Sequence, residues 1–173
     1  MNLRNIDLRK WTLITLFIAG VIGAMIIVLF SYIYYDIHAE KQDREMEHAN
    51  FALEHSPIDT VEETYIFNGS NSYTVVEGYE GETLLYVFVP VEEDQELEPN
   101  QLDWISQEEG VSKEEVYSNW EGDCDNCTLL TLTPGKLNEQ VIWELTYTNN
   151  DRYFFQTYRF SNGELYDSIS FRK

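Results

Sequence analysis

Apolar positions along the chain fall first into one unbroken run and then into short periodic segments. From Trp11 to Tyr35 the sequence reads WTLITLFIAGVIGAMIIVLFSYIYY, with no Asp, Glu, Lys, Arg or His. A bilayer's hydrocarbon core takes roughly 20 apolar residues when they are helical. A lone segment in lipid satisfies its backbone hydrogen bonds only as a helix. Residues 11–35 are therefore expected to cross a membrane, with Trp11 and the Tyr32, Tyr34, Tyr35 cluster placed as interfacial anchors. A cleavable signal would carry a shorter apolar region and a small-x-small site. The bulky FSYIYY end predicts an uncleaved signal anchor. Arg4, Arg9 and Lys10 precede the run, whereas Asp36, His38 and Glu40 follow it. Basic flanks stay inside, so residues 1–10 are expected as a cytoplasmic tail and everything from Asp36 outside the cell membrane.

After Tyr35 no Gly or Pro occurs before Pro57, and DIHAEKQDREMEHANFALEH is rich in helix formers. Met46, Ala49, Ala52 and Leu53 share one side at helical spacing, which predicts that the helix continues outward, buries that side and stops before Pro57. Three strand patterns follow, TVEETYIFNG, SYTVVEGY and TLLYVFVP, separated by the turn signals NGSN and EGE. Leu84, Tyr86 and Phe88 alternate with Leu85, Val87 and Val89, as in a strand buried on both faces. VEEDQELEPNQ then reads as an acidic linker.

A second unit starts near Gln101. Ser112 with Glu115 three residues later opens a short helix toward Trp120. CTLLTLTP, QVIWELTY, RYFFQTYRF and GELYDSISF read as strands, with NNDR and SNGE as tight connectors. Val141, Trp143, Leu145 and Tyr147 alternate with Ile142, Glu144 and Thr146, a half-buried pattern. Each unit repeats one plan, a helix followed by an antiparallel meander, so the fold class expected is α+β. The expected boundaries are 36–91 for the first domain, 92–100 for the linker and 101–173 for the second domain.

Charge changes the picture for partners. The chain holds 31 acidic against 11 basic residues, for a formal net charge of −20. Such a field repels nucleic acid, anionic lipid and anionic wall polymers. It suits solubility in a salty or alkaline exterior, or steering toward a basic partner surface or a layer of divalent cations. An apolar content of 43 % is enough to build a core.

With these elements in place, ETYIFNGSNSYTVVEGYEGETLLYVFVP, the GVSKEEVYSNW helix and the VIWELTY and YFFQTYRFSNGELYDSI segments resemble the YpmB/TseB-like proteins. These are cell wall elongation regulators of Gram-positive bacteria. The resemblance runs over essentially the whole chain and implies a single N-terminal membrane helix and tandem PepSY-like (cystatin-like) domains. It also implies a non-enzymatic envelope protein acting beside a penicillin-binding protein. The CDNC segment and the strong acidity depart from the family pattern. PepSY-like domains suggest peptidase inhibition by analogy.

Candidate chemistry is sparse. Cys124 and Cys127 form a C-x-x-C, in some settings a redox pair or half a zinc site. There are no other Cys for zinc, and His38, His48 and His55 all lie near the membrane run. A thioredoxin-like motif would open a helix, whereas TLLTLTP reads as a strand. The expectation is a small loop disulfide or idle thiols. Asp123, Asp125 and Glu121 lack the spacing of a calcium loop and read as a solvated acidic turn. No G-x-S-x-G, H-E-x-x-H or Gly-rich phosphate loop occurs, so no catalytic residue, cofactor or metal site is expected. Ala19, Gly20, Gly23 and Ala24 place small residues on adjoining faces of the membrane helix, a geometry for close helix association. Trp104, Trp120, Trp143, Tyr153 and Tyr158 would suit stacking on a wall fragment, yet their spacing fits core positions better. Two functions follow from this reading: an interaction protein regulating wall elongation, or a module binding a wall fragment or cation.

Overall fold

The computed structural model describes residues 3–91 and 97–173, and the side chains of all of these but 3–9, 37, 38 and 40. It divides into two compact units, Met1–Arg44 and Glu45–Lys173. The middle of the expected linker 92–100 lies outside the described residues.

The first unit is the greater part of helix α1, Leu3–His55. Its apolar stretch is the one helix among the described residues that is long and apolar enough to cross a membrane, and none of it is buried. Trp11, Phe17, Phe30 and Tyr35 are among the side chains left open. Helix α1 ends where expected: the Ser56 backbone N–H and Oγ both donate to the Ala52 carbonyl, at 2.9 and 2.7 Å, and Pro57 cannot continue the ladder.

The second unit holds two antiparallel sheets, four strands each among the described residues. The first runs β1 (Thr60–Asn68), β2 (Ser72–Glu80), β3 (Thr83–Pro90) and β4 (Asp103–Ser106), paired in that order. The second runs β5 (Cys127–Leu137), β6 (Gln140–Asn149), β7 (Arg152–Arg159) and β8 (Leu165–Arg172). Between the sheets in sequence lies α2, Lys113–Asp123, whose Ser112 cap accepts the Glu115 N–H at 3.1 Å. This is the α+β architecture expected. Strand β4 was not foreseen. It lies in the stretch assigned to the second domain, yet it pairs with β3, Val87 opposite Trp104.

Both faces of the first sheet are covered. On one, Val76, Leu85, Val87 and Val89 pack with Ala52, Ile58 and Leu102. The helix face that does this is the expected one only in part: Ala52 is buried and Ala49 half-buried, but Met46 and Leu53 are exposed and His48 is buried instead. Small Ala52 admits the sheet closely, and His48 Nδ1 lies 2.7 Å from Thr74 Oγ1, so its buried polar edge is satisfied. On the opposite face Val75, Tyr86 and Phe88 share one core with Val116 and Trp120 of α2 and with Leu132, Trp143, Leu145 and Tyr147 of the second sheet. Each such side chain contributes about 1.5–3 kcal/mol of burial. Strand β6 is more enclosed than a half-buried reading allows, because Ile142 and Thr146 of its other face are buried as well.

Candidate functional site

Two edge strands and a helix frame a groove of about 630 Å³. Strand β1 ends one sheet and β5 ends the other, and among the described residues no backbone ladder joins them. They meet at one end, where Phe67 fills the space over Gly135 and the Asn138 N–H donates to Ser70 Oγ at 3.3 Å. Toward Glu63 and Leu130 they line an open groove, together with Lys113, Glu114 and Tyr117 of α2. Leu130 sits at a bulge in β5 and is half exposed.

Tyr65 organises the polar wall. Its hydroxyl lies 2.6 Å from Glu63 Oε2 and 2.8 Å from Glu77 Oε2, and it accepts from Lys113 Nζ at 3.0 Å. A hydroxyl has one proton, so it donates to one carboxylate at a time while the ammonium holds its lone pair. Burial first, then these two carboxylates, push its ionisation far above the ordinary tyrosine range. The ammonium also stands 5.1 Å from the Tyr65 ring centroid. Sequence reasoning missed this cluster. Glu63 and Tyr65 share a face by period two, but Glu77 joins them only through the β1–β2 register, which a bulge at Val61/Glu63 shifts.

A second surface is apolar. On β7 and β8, Tyr153 pairs with Phe171 and Phe155 with Ile169, and alternation puts all four on one sheet face. They are 39–58 % exposed, and the Phe155 and Phe171 rings meet edge to face at 6.0 Å. Elsewhere Lys136, nearly buried, holds Asp103 at 2.6 Å and Glu139 at 3.1 Å, which ties β5 to β4.

The structure brings Cys124 and Cys127 together as a bonded pair with Cα atoms 5.8 Å apart, across a turn in which Asn126 takes φ 61°. Glu121 instead accepts the Tyr117 hydroxyl at 2.8 Å, and the Asp125 carbonyl accepts from Asn149 Nδ2 at 3.4 Å. Among the described residues no group of three or more His, Cys, Asp or Glu is placed to hold a metal ion. His48 is committed to Thr74 and the His55 ring lies tilted against Phe51 with centroids 4.6 Å apart, while the His38 side chain lies outside the described residues. Ala19, Gly20, Gly23 and Ala24 lie on the open part of α1, with nothing within 4 Å of either glycine's Cβ direction. Of the five aromatics considered for stacking, Trp120 and Trp143 are core, Tyr158 is half-buried, and Trp104 and Tyr153 are exposed.

The family model described as the cell wall elongation regulator TseB-like domain matches residues 49–90, the end of α1 with β1, β2 and β3. Over those residues the chain is similar to a TseB-like domain. A solved structure, YpmB protein from Bacillus subtilis, aligns with a TM-score of 0.57 over 71 % of this chain and 94 % of its own, at 21 % identity. That likeness is one of fold, and it extends beyond residues 49–90. No curated protein matches the chain.

Proposed function

We propose that this chain is a membrane-tethered regulator of cell wall elongation that works by contacting a wall-synthesis protein, a penicillin-binding protein being the expected class. The similarity to a TseB-like domain supports the regulatory role. The exposed face of Tyr153, Phe155, Ile169 and Phe171 carries the contact reading: four large apolar groups lie side by side on a chain of net charge −20. Such a patch marks a surface that meets another molecule. Tethering confines the encounter to the membrane plane and raises effective concentration without a large interface. In this reading the chain is no enzyme, residues 1–10 face the cytoplasm, and both sheets lie outside.

The test is a photoreactive phenylalanine analogue placed at 155 or 171 in the full chain, cross-linked in membranes and read by mass spectrometry. An adduct with a penicillin-binding protein is expected from both positions and none from exposed Glu164. Equal adducts from all three positions, or none from any, would overturn the contact surface. The alternative, capture of a wall fragment, is disfavoured in the groove because Glu63, Glu77 and Glu114 repel the carboxylates such fragments carry.

A further inference from the structure

We propose that the groove between β1 and β5 binds an extended, lysine- or arginine-bearing peptide segment of a partner protein by strand addition. This does not rest on the wall-synthesis reading, nor on the apolar face of β7 and β8.

The geometry carries it first. Both walls of the groove are sheet edges, and an edge strand presents unpaired backbone N–H and C=O groups to whatever lies beside it. An extended segment entering beside Leu129–Thr133 finds backbone partners on β5, and β1 flanks it on the other side. The two edges converge at Phe67 and Gly135, so the groove is closed at one end and the segment's register is limited by that stop. Helix α2 forms the floor, where Tyr117 and the stem of Lys113 offer apolar contact.

Charge then selects the occupant. Glu63 and Glu114 line the groove and Glu77 reaches it through the Tyr65 hydroxyl, against the cation of Lys113, which Tyr65 already engages. The chain beyond adds further negative potential, which speeds the approach of a basic segment and turns away an acidic one. Main-chain bonds supply affinity in strand addition, and alternate side chains supply choice. A segment with Lys or Arg at every second position would place those cations on one face, toward the carboxylates.

The probe is a fluorescein-labelled octapeptide of alternating Val and Lys, titrated by anisotropy into the full chain in neutral detergent. Saturable binding is expected, weakened about tenfold or more by Glu63→Lys with Glu114→Lys. The Val–Glu analogue and a Val–Lys peptide N-methylated at alternate residues should not bind. Hydrogen exchange keeps the outcome independent of variant folding: wild-type amides in 128–133 should gain protection with the Val–Lys peptide. No saturable binding, equal binding of the N-methylated peptide, or unchanged exchange across 128–133 would overturn the inference.

Discussion

At the scale of single residues, polar groups in this molecule are placed by what they face rather than by their own preferences. His48 is buried because Thr74 Oγ1 meets its ring nitrogen, and Trp143 because its Nε1 donates to the Val111 carbonyl at 3.0 Å. Trp120 Nε1 is the exception among the described residues, a buried donor with no partner, enclosed by the Tyr117 and Tyr147 rings. The Cys124–Cys127 pair is the residue-scale feature most open to test. A separation of 3 closes a very short loop, for which chain entropy gives about 2 kcal/mol at most. Protein purified without reductant and unfolded in guanidinium is therefore expected to show no reactive thiol, and both after reduction. Cys124→Ser with Cys127→Ser should lower stability by no more than about 2 kcal/mol and leave partner contact intact. Reactive thiols before reduction would show that the bond is not formed in the protein.

At the scale of elements, the strands and helices were legible because each announces itself locally. Thr83–Pro90 alternates two apolar sets and ends on proline, and α2 begins at the Ser112 cap that its sequence offers. What was not legible depends on distant partners. Strand β4 is four residues long, and Asp103–Ser106 has no period that marks it; pairing with β3 makes it a strand. The face of α1 near its end is legible at Ala52 but not at His48, because hydropathy favours Met46, whereas the sheet offers a hydroxyl at Thr74. The groove likewise arises where two strands distant in sequence diverge, which no local pattern encodes. Their meeting point yields a prediction. A Cβ on Gly135 would lie 2.4 Å from the Phe67 ring, so Gly135→Ala must displace that ring and loosen the closed end of the groove. A loss of about 1–3 kcal/mol in urea unfolding is expected, with Phe67→Leu restoring part of it. Purely additive effects of the two substitutions would show that Phe67 is not what Gly135 accommodates.

At the scale of the whole molecule, titration links the buried hydroxyls to the net charge of −20. Burial, with nearby carboxylates, raises the ionisation of Tyr65 and Tyr86 well above the ordinary value of 10.0, and burial also raises that of Tyr158. For Lys136 burial acts downward, but the hydrogen bonds its ammonium donates to Asp103 and Glu139 outweigh it and the net shift is upward from 10.5. Each of these groups holds its proton more tightly when folded. The unfolded chain therefore releases protons first, and the stability they contribute is complete below pH about 10 and drains away as pH climbs above it. Every proton lost from a tyrosine also adds a negative charge to a chain already repelling itself. On the acid side Glu144 has the same sign: burial raises its carboxyl from 4.5, so folding gains from its protonation as pH falls through the folded value, and that gain is lost again as pH rises. Urea midpoints are thus expected to be flat from pH 7 to 9 and then to fall, with a loss of more than about 1 kcal/mol by pH 11. Tyr65→Phe should flatten that fall, because it removes one ionisable hydroxyl, although it lowers the plateau by costing the bonds to Glu63, Glu77 and Lys113. A plateau unbroken to pH 11, or a slope unaltered by Tyr65→Phe, would mean that Tyr65 ionises as freely folded as unfolded, and the polar wall of the groove would lose its organising residue.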